Sequence, residues 1–364
     1  MFHRRRMLAW LISLPAARAF GQLTARDPQP AQFAPVVPGY PLRFPRDEGS
    51  HPEFRTEWWY VTGWLDSAAG KPLGFQITFF RTRSGSGNSN PSAFAPRQIL
   101  IAHAALSDPG HGRLQHGQRT ARAGFSLADA EQGRLAVWID DWSLRQEGGA
   151  YRARIPAREF QFDFTFFPTQ PPLLQGKSGL SRKGPRPESA SYYYSQPQLE
   201  VNGSLTRNGG TERAGGMAWL DHEWSSSYMD PQAAGWDWAG INFADGGALM
   251  VFRMRDKQGE SLWAGGTLRG ADGRTQVFEP DDIRFMPLRT WRSPRTGTDY
   301  PVAWQIRAGM LELRLEPLMD DQEQDARRSS GTVYWEGAVR ALHNDKPVGK
   351  GYLELTGYWR SMRF

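Results

Sequence analysis

The chain of 364 residues has no cysteine and only seven histidines. Without thiols there is no disulfide scaffold, no cysteine-ligated zinc or iron–sulfur site and no thiol catalysis. Long apolar runs are also missing. The stretch Met7 to Leu14 falls far short of the ~20 apolar residues that a spanning helix needs, and no other stretch reaches that length. Helical periodicity is absent beyond a short turn near residues 126–132, which excludes coiled coils and helical solenoids. Also absent are the Gly-x-Ser-x-Gly elbow, the P-loop, the Gly-x-Gly-x-x-Gly fingerprint and the His-Glu-x-x-His helix, so nucleotide, dinucleotide and zincin readings lack their anchors. His111 and His116 lie five apart in a Gly-rich turn, poor spacing for a shared metal, and no metal or cofactor is expected. A strong charge of one sign is lacking as well. Of the formal +6, four charges belong to Arg4, Arg5, Arg6 and Arg18, leaving +2 for the remainder. A balance so close to neutral argues against nucleic acid as a partner.

The N-terminus has the order of an export signal: Arg4-Arg5-Arg6, the apolar run Met7 to Leu14, then Ala16-Ala17-Arg18-Ala19. This predicts a cleaved signal peptide over residues 1–19, compatible with twin-arginine export, and a periplasmic or secreted mature protein. Residues 20–43, with Pro28, Pro30, Pro35 and Pro38, read as an extended lead-in.

Beyond it, 39 Gly and 26 Pro punctuate many short strands. Phe160, Phe162, Phe164 and Phe166 alternate with polar residues, as do Leu311, Leu313 and Leu315, each giving one apolar face. Turn pairs include Asn202-Gly203, Asn208-Gly209, Asp245-Gly246 and Asp272-Gly273. Some seventeen to twenty strands are expected, too many for one small barrel and enough for two. There is also an internal echo. Trp58-Trp59-Tyr60-Val61-Thr62-Gly63 precedes Gly74 to Arg81 much as Gly235-Trp236-Asp237-Trp238-Ala239-Gly240 precedes Gly247 to Arg253.

The richest chemistry lies in Trp219-Leu220-Asp221-His222-Glu223-Trp224 and Trp236-Asp237-Trp238. If the first segment is extended, Asp221 and Glu223 share one face and His222 and Trp224 the other. A histidine beside tryptophan, with Asp237 as a further carboxylate, would make an aromatic-lined acid/base site. A carboxyl in apolar surroundings keeps its proton to higher pH, and indole faces stabilise a developing cation. A purely structural reading has the acids paired with arginine, His222 in a buried hydrogen bond and the tryptophans in the core. Glu57 is expected to meet Arg81 or Arg83 across a hairpin. Tyr192 and Tyr194 share a face and would line a cavity or its rim.

Together, Phe44-Pro45-Arg46-Asp47, His51-Pro52, Thr56 to Gly63, Gly179 to Gly184, Ser191 to Ser195, Trp219 to Trp224 and Gly235 to Trp238 resemble the AttH-like group of lipocalin-like proteins. That group is related to carotenoid 1,2-hydratase (hydroxyneurosporene synthase) and more distantly to fungal Diels–Alderases. The resemblance spans about residues 40–360 and implies an all-β chain of two lipocalin-like antiparallel β-barrel domains side by side, 44–225 and 226–364. It places acid/base and cation-stabilising residues around Asp221, His222 and Trp224 and around Trp236, Asp237 and Trp238; Tyr192, Tyr194 and Trp59 are expected as further ligand contacts. The leading expectation is an exported protein that binds an apolar small molecule (a lipid, isoprenoid or polyene), with a membrane permease of an ABC-type export system as a possible partner. The alternative is a cofactor-free hydratase or isomerase that protonates an isoprenoid double bond.

Overall fold

The computed structural model describes residues 33–362 apart from 68–69, 84, 86–91 and 93. The signal segment 1–19, residues 20–32 of the lead-in and most of the loop 84–93 lie outside the described residues. Alternating apolar and polar residues broken by Gly-containing turns yield twenty-three strands and, among the described residues, no α-helix. The excess over expectation comes from strands of two to four residues.

The first sheet holds β1 (Thr56–Asp66), β2 (Pro72–Arg83), β3 (Gln98–Ser107), β4 (Gln115–Arg122), β5 (Ala128–Ala130), β6 (Ala136–Ile139), β7 (Trp142–Glu147), β8 (Ala150–Pro156), β9 (Phe160–Pro168), β10 (Leu173–Leu174), β11 (Leu180–Arg182), β12 (Ala190–Arg207) and β13 (Gly210–Ser225). Its order is β4-β3-β2-β1-β13-β12-β9-β8-β7-β6-β5, and β4 returns to lie against β5 and β6, so the sheet nearly closes. The second sheet holds β14 (Gly235–Phe243), β15 (Ala248–Arg255), β16 (Ser261–Arg269), β17 (Thr275–Phe278), β18 (Ile283–Arg292), β19 (Asp299–Ala308), β20 (Leu311–Pro317), β21 (Glu323–Ala326), β22 (Thr332–His343) and β23 (Lys346–Leu355). It runs β17-β16-β15-β14-β23-β22-β20-β19-β18, with β18 lying against β15 and β16. Every pairing is antiparallel, and the whole is the expected all-β lipocalin-like pair.

Two corrections concern local structure. The Asn202-Gly203 pair is no turn, because β12 runs straight through it. A Cβ at residue 203 would stand 2.1 Å from the Asp163 carbonyl of β9, so the glycine serves close strand approach. The true hairpin is Asn208-Gly209, both at positive φ, which joins β12 to β13. The turn expected near 126–132 leads directly into β5.

Each barrel interior is filled by its own apolar cluster. The first contains the Phe160, Phe162, Phe164 and Phe166 face, and the second Leu313 and Leu315. A third cluster, with Tyr60, Trp64, Tyr193, Trp219, Trp238 and Tyr352, lies between the sheets and is built from the outward faces of β1, β12, β13, β14 and β23. The strands at the junction are therefore buried on both faces, and both parities matter.

Candidate active site

A cavity of about 880 Å³ opens between the two barrels, a size suited to a small organic ligand. Four strands supply alternate residues to it: Trp58 and Tyr60 from β1, Asp221 and Glu223 from β13, Trp236 and Trp238 from β14, and Glu354 from β23. Glu336 and Tyr334 of β22, Tyr193 of β12, His103 of β3 and Lys183 add further polar groups.

Glu336 and Glu354 are direct partners across β22 and β23. Facing carboxyls at antiparallel spacing cannot both ionise cheaply, so the pair tends to share a proton. Burial holds Glu336 well above the usual carboxylate range, with Glu354 adding to the effect. Glu354 is pushed up to about 7 by burial, against the pull of a hydrogen bond from Trp236 Nε1 at 2.9 Å; Asp221 and Glu223 raise it further. The hydroxyls of Tyr60 and Tyr334 stand beside Glu336 and offset part of its rise.

Asp221 faces the pair across the cavity wall. Its Oδ1 accepts from Trp219 Nε1 at 2.6 Å and from Ser195 Oγ, and its Oδ2 accepts from Tyr193 Oη at 2.6 Å. Tyr193 Oη in turn accepts from Trp238 Nε1 at 3.0 Å, so a hydrogen-bonded chain crosses from barrel to barrel. Burial outweighs these donors and pushes Asp221 up to about 7. The cavity thus joins a protonated acid pair, a carboxyl poised near neutrality and several indole faces.

Of the nine residues expected in the site, Asp221, Trp236 and Trp238 line this cavity. His222, Trp224 and Trp59 point into the first barrel instead, His222 stacking on Trp59 with ring centres 4.8 Å apart. Tyr192 and Tyr194 also point inward. Tyr192 Oη donates to the Val37 carbonyl, while the Tyr194 ring meets Phe44 and His222; their neighbour Tyr193 is the cavity residue. Asp237 points into the second barrel, where Arg253 Nε (2.6 Å), Arg255 Nε (3.0 Å) and Tyr358 Oη (3.0 Å) surround it. His222 and Asp237 are therefore not brought together. Glu336 and Glu354 escaped the sequence reading. Their one signal was a lone acid set among apolar strand residues, in Trp335-Glu336-Gly337 and Leu353-Glu354-Leu355.

His51, Glu57 and His222 bring donor atoms within 4.8 Å of one another, all buried. Glu57 Oε1 lies 2.8 Å from His51 Nδ1 and 2.9 Å from His222 Nε2, but Arg81 Nε donates to its Oε2 at 2.8 Å. Asp47 and Glu57 raise the His51 pKa to about 9 against burial, whereas burial lowers that of His222. A dication would sit against a guanidinium and an imidazolium, so the donor set fits an ion-pair network and not a metal. The network closes one end of the first barrel, where Trp224 stacks on His51 at 3.8 Å. Glu57 meets Arg81 across the hairpin as expected.

Comparison with known proteins places this architecture. A model of the AttH-like family matches residues 35–358. An AttH structure from Nitrosomonas europaea shares 53% identity, covering 90% of this chain and all of that one, with a TM-score of 0.84. Kievitone hydratase from Nectria haematococca (16% identity, 91% and 98% covered, TM-score 0.67) and CghA (14%, 92% and 97%, 0.52) share the fold. No curated protein gives a significant match. The chain belongs to the AttH-like family.

Proposed function

We propose that the protein is an acid–base hydratase that adds water to a carbon–carbon double bond of an apolar substrate held between the barrels. One observation carries the reading: a facing, buried carboxyl pair, Glu336 and Glu354, on the wall of an aromatic cavity. The shared fold with kievitone hydratase lends support at the level of scaffold, and the chemistry rests on the cavity. A carrier for an apolar molecule would need the indole faces but not the buried acids, which cost stability when left charged.

The acid pair gives its proton to one alkene carbon. The π electrons form the new C–H bond and leave positive charge on the more substituted carbon. The indoles of Trp58, Trp236 and Trp238, which line the cavity, would stabilise that cation. A water molecule adds through its oxygen and loses a proton to Asp221, whose pKa near 7 suits a base at neutral pH. Alkene and water give a tertiary alcohol, and solvent exchange returns the proton to the acid pair.

The test is incubation with trisubstituted alkenes in oxygen-18 water, followed by mass spectrometry. Wild type should form an alcohol carrying one heavy oxygen, with kcat/KM greatest near pH 7, falling above it as Glu354 loses its proton and below it as Asp221 gains one. Glu336→Gln and Glu354→Gln should each lower kcat/KM by roughly 10²–10⁴ without lowering Tm. Unchanged turnover in both variants would remove the pair from the mechanism.

A further inference from the structure

Two charged residues on the cavity wall take no part in these proton transfers. Lys183 follows β11, and Glu223 sits on β13 two residues beyond Asp221, on the same face and about 7 Å along the strand. Lys183 Nζ lies 3.0 Å from Glu223 Oε1, with the two side chains only 7% and 6% exposed. Ser191 Oγ donates to the same oxygen, and the ammonium rests 4.2 Å from the centre of the Phe252 ring. An ammonium has three N–H groups and a carboxylate two oxygens. Among the described residues, Nζ has one oxygen contact, Glu223 Oε1, its other neighbours being the Phe252 and Tyr193 rings, and no hydrogen bond reaches Glu223 Oε2. Apolar residues of similar volume would serve packing equally well, since a buried ion pair seldom adds net stability.

We infer that Lys183 and Glu223 form a subsite for a neutral hydroxyl on the substrate, which accepts from Nζ and donates to Oε2. A carboxylate there would meet the charge of Glu223, and an amine that of Lys183. Resting on the hydratase reading, the inference also sets a distance. Asp221 and Glu223 stand about 7 Å apart along the strand, so a short alkyl chain separates the hydroxyl from the reacting carbon. The substrate class is then an unsaturated alcohol and not a bare hydrocarbon.

Citronellol and the hydrocarbon of the same skeleton lacking its oxygen are suitable probes, titrated against the fluorescence of the cavity tryptophans. Wild type should bind the alcohol roughly ten- to a hundredfold more tightly, the range for hydrogen bonds to charged groups. Lys183→Met should abolish the preference while leaving hydrocarbon affinity unchanged. Because that change strands Glu223, Lys183→Met/Glu223→Gln removes both charges together and should behave alike. Equal binding of the two probes by wild type, or a preference that survives in the double variant, would overturn the subsite. Equilibrium binding needs no turnover, so a preserved preference in a protein that forms no alcohol would count against the hydratase chemistry alone.

Discussion

Asp237 shows how a residue's chemistry depends on the face it occupies. On sequence it stands between two tryptophans and reads as a catalytic acid, to be lost in Asp237→Asn with normal melting. In the structure it answers Arg253 directly across β14 and β15, as Glu57 answers Arg81 across β1 and β2. Each barrel thus holds a cross-strand carboxylate–arginine pair on its first hairpin. Arg253 and Arg255 are 14% and 6% exposed, and with Asp237 neutralised they would remain charged and largely buried. We expect Asp237→Asn to cost on the order of 3 kcal/mol in urea unfolding, with kcat of the folded fraction close to wild type. Normal stability combined with lost turnover would restore the catalytic role.

Strand alternation was readable from sequence: Asp221 and Glu223 do part from His222 and Trp224, and the Phe160 to Phe166 face is buried as a row. What alternation could not convey is which face looks where. Along β1 and β13 both faces are buried, one in a barrel and one against the other barrel, so Trp58 and Trp59 or Tyr193 and Tyr194 are equivalent on sequence. Only the packing of the two sheets decides, and it depends on pairings such as Tyr60 with Asp221 and Trp238 with Glu354 that join distant segments. On β14 that packing hinges on Gly240. A Cβ there would stand 2.5 Å from Trp238 Cη2 and 3.2 Å from Trp219 Cε2, so the indole of Trp238 lies flat along its own strand only because residue 240 has no side chain. Gly240→Ala should lift Trp238 from Tyr193 and destabilise by roughly 1–3 kcal/mol. In Gly240→Ala/Trp238→Leu the clash is gone, and the two costs should be clearly less than additive. Additive costs in the unfolding cycle would show that the glycine does not seat the indole.

For the whole molecule, the buried ionisable groups set how stability depends on pH. Asp47 and Glu57 are held below their ordinary values, chiefly by partners that outweigh burial; they contribute stability that is complete above pH ~4.5 and lost on acidification. Asp221 and Glu354, raised to about 7, act in the opposite sense. The folded state holds their protons where the unfolded chain has released them, so stability declines as pH climbs from about 4 to 7. His51, raised to about 9 between Asp47 and Glu57, continues the decline. Its contribution is complete below pH ~6.5 and gone above 9, a difference on the order of 3 kcal/mol. Because Asp47 also binds Arg46 Nε, Tyr40 Oη and the Arg43 amide, this last step loosens residues 40–51 from the end of the first barrel. Below pH ~6.5 His103, His116 and His222, all lowered by burial, oppose that decline, so denaturant unfolding should find its clear fall between pH 7 and 9.5. His51→Gln should reduce this fall, the raised Glu336 supplying the remainder. A His51→Gln profile parallel to wild type between pH 7 and 9.5 would show that the imidazolium does not hold the lead-in to the barrel.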